Sequence, residues 1–175
     1  MSAPESHRHS AKRRLAFVIV TVSTSRFAAK KKGKKADDGS GDLAERLVEE
    51  KGHTIKNREL ISDDAGQLRS ALAKALRNPA VDVVLFTGGT GVSNTDVTIE
   101  TLRPRLEKEI EGFGEIFRSV SYSRIGVAAT LSRATAGIIA KKVVLLLPGS
   151  PDAVKTALEL FLDELPHVVS LARGA

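Results

Sequence analysis

The stretch Asp82–Asp96, DVVLFTGGTGVSNTD, decides how the chain is read. Its β-branched and apolar run, Val83, Val84, Leu85 and Phe86, suits a strand buried on both faces, as in a parallel sheet. The run stops at once in Gly88-Gly89-Thr90-Gly91. Glycines there let the backbone turn with φ > 0 and point several N–H groups at one concave spot, a geometry that holds a phosphate or oxyanion. Five residues on comes Asp96, where a helix is due. A carboxylate beside a phosphate cradle repels the ligand unless a cation lies between them, so one reading is a Mg²⁺-bound phosphate compound. The other is a tight strand-to-helix turn with Asp96 as the N-cap.

Working outward, the flanking sequence alternates strands and helices. Leu15–Val22 (LAFVIVTV) predicts a buried strand ending in Ser23-Thr24-Ser25-Arg26, and residues 53–61 predict a second one ending in Ser62-Asp63-Asp64. Helical spacing of Leu43, Ala44, Leu47 and Val48 predicts a helix over 42–51, with Gly52 as its stop; Leu68, Ala71, Leu72, Ala75 and Leu76 predict another over 65–76. A short helix is expected over 97–103, ended by Pro104, and a longer one over 113–120. The apolar runs 135–139 and 142–147 predict a hairpin, stopping in Pro148-Gly149-Ser150-Pro151. A last helix is predicted over 152–165. The whole is an α/β domain of three layers, with a mainly parallel central sheet and helices on both faces. In such sheets ligands bind at the carboxyl ends of the strands, where strand order reverses. Four candidate strands here end in small, polar or acidic groups, which places a phosphate-ligand site on that rim.

Composition narrows the classes. The chain has 175 residues, 42% of them hydrophobic, enough for one core and one domain over 15–175. Without cysteine it has no disulfides, thiolate metal sites or cysteine nucleophiles. No membrane span or secretory signal is evident, so a cytoplasmic protein is expected. Residues 1–14 carry a net +3 and Lys30, Lys31, Lys32, Lys34 and Lys35 add +5, which leaves −2 for the rest out of a formal +6. A disordered basic tail over 1–14 and a mobile lysine-rich loop over 30–36 are expected. A nearly neutral body with no Trp and one Tyr lacks the basic, aromatic face of a nucleic-acid domain. There is neither a Walker P-loop nor G-x-G-x-x-G opening a helix. Acidic residues, glycine amides and hydroxyls favour phosphoryl or nucleotidyl transfer, where catalysis is mostly positioning and charge neutralisation.

From Leu15 to about Pro166 the chain resembles the MoaB/MogA family of molybdenum-cofactor biosynthesis proteins, also represented in the G domains of gephyrin and its plant counterpart. The resemblance rests on Asp37-Asp38-Gly39-Ser40-Gly41, Thr87-Gly88-Gly89-Thr90-Gly91 followed by Asp96-Val97-Thr98, Gly112-Phe113-Gly114-Glu115, Leu131-Ser132-Arg133-Ala134 and Leu147-Pro148-Gly149-Ser150-Pro151. The segments GFGEIFR and SRATAG are closest to the MoaB branch. The resemblance implies a Mg²⁺-ATP-dependent molybdopterin adenylyltransferase, with ATP and molybdopterin as substrates. It implies Asp63 and Asp96 as catalytic and Mg²⁺-holding residues. Gly88, Gly89, Thr90, Gly91, Gly149, Ser150, Ser23, Asp38 and Ser40 fall to the nucleotide phosphates, and Ser121, Ser132 and Arg133 to molybdopterin. It also implies a homo-trimer or hexamer. Departures are Thr24, where an acidic residue is common, the lysine-rich insert, and Ile99 in place of a proline. The alternative is a MoaB-type protein that holds molybdopterin without catalysis.

Overall fold

The structure, a computed structural model, describes residues 14–174. All of the expected basic tail except Arg14 lies outside the described residues. In chain order the elements are β1 (Ala16–Val22), α1 (Thr24–Lys31), α2 (Gly39–Glu50), β2 (Thr54–Ile61), α3 (Ala65–Arg77), β3 (Val83–Thr87), α4 (Thr98–Leu102), β4 (Lys108–Glu109), α5 (Glu111–Ile125), β5 (Thr135–Ile139), β6 (Lys142–Leu147), α6 (Pro151–Phe161) and α7 (Leu165–Ala172). Short 3₁₀ turns cover Arg103–Arg105 and Gly126–Leu131.

The sheet order is β2-β1-β3-β6-β5-β4. The first four strands run parallel; β5 and β4 add antiparallel at one edge. Every residue of β1 and β3 is buried, which explains the unbroken apolar runs. Alternation sends their side chains to two cores. Phe17, Ile19, Val83, Leu85 and Leu145 meet Ala44 and Val48 of α2, Phe113 and Phe117 of α5, and the last two helices. Val18, Val20, Val84, Phe86 and Leu146 meet Leu68, Ala71 and Leu72 of α3 and Ile99 and Leu102 of α4. Each fully buried Phe or Leu contributes roughly 1.5–3 kcal/mol, so the two cores hold the three layers together as expected.

Three expectations are corrected. Residues 24–31 form helix α1, because the Ser23 hydroxyl accepts the Arg26 N–H and caps it. The helix buries none of its residues, so no apolar stripe announced it. Lys30 and Lys31 sit in its last turn, where positive charge suits the helix dipole, so the lysine-rich segment begins in a helix. The last helix is two, α6 and α7. Pro166 lies in the first turn of α7; within a continuous helix its ring would meet the carbonyl of Leu162. Finally, α5 runs on to Ile125 and ends at Gly126 with φ +61. The two residues of β4 were too short to carry a pattern.

A candidate anion-binding cleft at the switch point of the sheet

The chain leaves β1 for β2 on one side and returns to β3 on the other, so strand order reverses between β1 and β3. At that rim the ends of β1, β2, β3 and β6 surround a cleft of about 910 Å³. The glycine turn after β3 forms its floor. Gly88 has φ +112, and a Cβ there would overlap the carbonyl oxygen of Val22; Gly89 has φ +63. Only glycine suits both places. The turn is pinned on each side. The Gly88 N–H donates to Leu147 O at 2.9 Å, and the Thr98 hydroxyl and N–H donate to Gly88 O at 3.0 Å and Gly89 O at 2.9 Å.

The two aspartates named from the sequence converge on this turn from different elements. Asp63 follows β2, and its Oδ1 accepts the Val97 N–H at 3.2 Å. A Cβ on Gly89 would lie 2.6 Å from that same Oδ1, and one on Gly91 would lie 2.6 Å from Asp96 Oδ2. Burial pushes the Asp63 carboxyl above its usual value; the Val97 N–H offsets part of this, and the charge and hydrogen bond of Asp96 push it further up. Adjoining carboxylates of this kind favour a bound cation. Asp96 is not a helix cap: α4 starts from Val97 without a side-chain cap, so that alternative is set aside. Thr24, the departure at the first strand, ties the rim together, accepting the Asp63 N–H at 3.1 Å and lying 3.1 Å from the Ser62 hydroxyl.

Ser23, Gly88, Gly89, Thr90, Gly91, Asp96, Ser121, Ser132, Gly149 and Ser150 all line the one cleft. Ser150 also caps α6, accepting the Ala153 N–H at 3.2 Å. Three named residues lie elsewhere. Asp38 caps α2 through the Gly41 N–H, accepts the Thr21 hydroxyl at 2.8 Å and pairs with Arg58 at 3.0 Å. A Cβ on Gly41 would strike this carboxylate, which gives the Asp-Gly-Ser-Gly segment a structural reason. Ser40 is wholly buried in the same turn. Arg133 reaches the glycine turn from behind, by way of a second cavity of about 530 Å³. Its Nε donates to Thr90 O at 2.8 Å, Nη2 to Gly91 O, and Nη1 pairs with Glu100, whose carboxyl is lowered by the guanidinium.

The cleft also contains residues that the sequence reading passed over: Arg26 of α1, Arg124 of α5, and Asp152, Lys155 and Thr156 of α6. Arg124 stands three residues after Ser121, the spacing of one helix face. That signal was present, but the predicted helix stopped short of it.

These features define an open α/β protein with an anion-binding cleft at its switch point. Residues 18–167 match the family described as "Probable molybdopterin binding domain". The chain is 42% identical over 170 residues to molybdenum cofactor biosynthesis protein B of Bacillus anthracis, covering 96% of each chain. It is 39% identical to a molybdopterin adenylyltransferase of Pyrococcus furiosus, covering 97% of this chain and 98% of that one. A crystal structure of a molybdenum cofactor biosynthesis protein B superposes with a TM-score of 0.85 at 39% identity, covering 95% of this chain and 100% of the other. The chain belongs to the molybdopterin-binding domain family of molybdenum-cofactor biosynthesis proteins.

Proposed function

We propose that the protein is a molybdopterin adenylyltransferase, transferring AMP from ATP to the molybdopterin phosphate and releasing pyrophosphate. The observation that carries this is the convergence of Asp63 and Asp96 beside the Gly88–Gly91 turn. Relatives named for this activity, alike over nearly their full length, support it.

The acidic pair fits Mg²⁺. Among the described residues no group of three or more His, Asp or Glu forms a closed metal cage. Two carboxylates beside a phosphate cradle suit an ion that arrives on a triphosphate and keeps phosphate and water ligands. Mg²⁺ held there supplies charge neutralisation on the triphosphate. The turn's N–H groups and the Thr90 hydroxyl orient its phosphates, while Ser121 and Ser132 face the acceptor. An oxygen of the acceptor phosphate attacks Pα in line; the new O–Pα bond forms as the bond to the bridging oxygen breaks and pyrophosphate leaves.

Among the described residues no helix is long and apolar enough to cross a membrane. Ile125, Val127 and Leu131 are each at least 60% exposed on one short segment. We assign that apolar surface to contacts in a homo-trimer or hexamer. A monomer in sedimentation at micromolar concentration overturns this assignment.

The direct test is incubation with molybdopterin and Mg²⁺-ATP, scoring adenylylated pterin and pyrophosphate. Asp96→Asn should keep the fold and slow turnover by about 10²-fold or more, as for loss of one preorganised electrostatic group. ATP binding without pyrophosphate release would mark a passive holder instead.

A further inference from the structure

The cleft is electrically lopsided. Asp63 and Asp96 flank the glycine turn, whereas Arg26, Arg124 and Lys155 enter from α1, α5 and α6, with Asp152 the one other acid on the lining. The acidic end needs a cation before it accepts phosphate. The basic wall needs none.

Arg124 is the organised member of that wall. Its Nη1 donates to the Thr156 hydroxyl at 2.6 Å, and that hydroxyl donates its own proton to Asp152 O at 2.8 Å. Thr156 is only 3% exposed, so its oxygen is a fixed acceptor that sets the plane of the guanidinium. Nη2 lies 3.7 Å from Glu159 Oε2, a distance that leaves most of its hydrogen-bonding capacity open. A guanidinium has five N–H donors in a rigid fork matched to phosphate oxygens. On the same helix face, Ser121 lines the cleft three residues before Arg124. From another segment of the lining comes Ser132, whose hydroxyl oxygen is buried with no hydrogen-bond partner among the described residues. Buried hydroxyls are normally satisfied, so an orphan on a cleft wall points to a ligand. Among the described residues no hydrogen bond or ion pair engages the Arg26 side chain, and Lys155 lies 3.8 Å from Glu159.

Arg133, the cation that the family resemblance allots to the acceptor, is already spent on Thr90 O, Gly91 O and Glu100. We propose that the cleft has a second anion position that needs no metal, formed by Arg124 oriented by Thr156, together with the Ser132 hydroxyl, and that it takes a phosphate monoester. Resting on the adenylyltransferase reading, this group is the phosphate of the acceptor substrate, held across the cleft from the triphosphate. Arg26 and Lys155 add positive potential around it. Arg124 then serves as a binding residue for the acceptor, and Thr156 as the residue that positions it.

The test uses the full chain saturated with Mg²⁺ and α,β-methylene-ATP, into which inorganic phosphate is titrated by calorimetry. Arg124→Gln should weaken phosphate about 10- to 100-fold, the scale of a lost charge-assisted hydrogen bond. Arg124→Lys should restore part of this, and Thr156→Val should fall between wild type and Arg124→Gln. Nucleotide affinity should stay within about twofold, because the two anion positions are separate. In the adenylylation assay the same variants should raise KM for molybdopterin more than they lower kcat. No phosphate binding by the wild type, unchanged phosphate affinity in Arg124→Gln, or an equal loss of nucleotide affinity overturns the proposal. If wild type makes no adenylylated pterin while the phosphate difference persists, the activity reading fails and the anion position stands.

Discussion

Gly89→Ala tests whether the glycine turn and Asp63 form one unit. At φ +63 an alanine meets the left-handed penalty of about 1–2 kcal/mol. Its methyl would also lie 2.6 Å from Asp63 Oδ1 and closer still to Oδ2 and to Thr98 Oγ1. One neighbour must yield. If Asp63 turns away, the Val97 N–H loses a charged acceptor, worth about 1.5–3 kcal/mol. If Thr98 moves, its bond to Gly88 O goes, at about 0.5–1.5 kcal/mol. Gly52→Ala isolates the backbone cost, since Gly52 has φ +78 with nothing within 4 Å of an added Cβ. Urea unfolding should therefore place Gly89→Ala about 0.5–3 kcal/mol below Gly52→Ala, or roughly 1–12 °C in Tm for a chain of this size. That is tolerable against a total of about 5–15 kcal/mol. Turnover should fall by about 10²-fold, the cost of misplacing a group by about 1 Å. Equal stability of the two variants, or full activity in Gly89→Ala, would refute the coupling between the turn and Asp63.

Asp63→Asn separates stability from activity. The folded-state pKa of Asp63 lies above its ordinary 3.8, so its contribution to stability is full below that value and is lost as pH rises through the folded one. The amide keeps an acceptor for Val97 and removes the repulsion with Asp96. Melting at pH 7 should be unchanged or higher, the difference from wild type vanishing toward pH 4, while turnover drops about 10²-fold; a lower Tm at pH 7 counts against the reading. His53 makes an opposite prediction. It is 6% exposed, its Nδ1 accepts the Leu15 N–H at 3.2 Å, and its ring stacks on Phe17. Burial lowers its pKa from the usual 6.5, against the opposing pull of Leu162 O, Asp163 and Asp82; Lys51 lowers it further. A depressed histidine contributes stability above pH 6.5 that is lost as pH falls through the folded value. Urea midpoints measured downward from pH 7 should fall in wild type and lose that slope in His53→Gln.

Much of this protein is legible in one dimension because local physics writes it there. Buried parallel strands need unbroken apolar runs, and Val83–Phe86 and Leu15–Val22 show them. A backbone that must pass Val22 O with positive φ needs glycine, and Gly88 shows that. Asp63 and Asp96 were nameable by resemblance, and so were Asp38, Ser40 and Arg133. Only the tertiary structure separates the two groups. The crossovers on either side of β1 carry Asp63 and Asp96, 33 positions apart, to one turn. Asp38 is drawn off to cap α2, and Arg133 to brace the carbonyls of the turn. Helix α1 left no periodic trace because it buries nothing, and Arg124 gained its meaning only when α6 brought Thr156 against it. Residue type and spacing determine which groups can bind phosphate. Which of them share a cleft is decided by long-range packing, whose partners are remote in sequence.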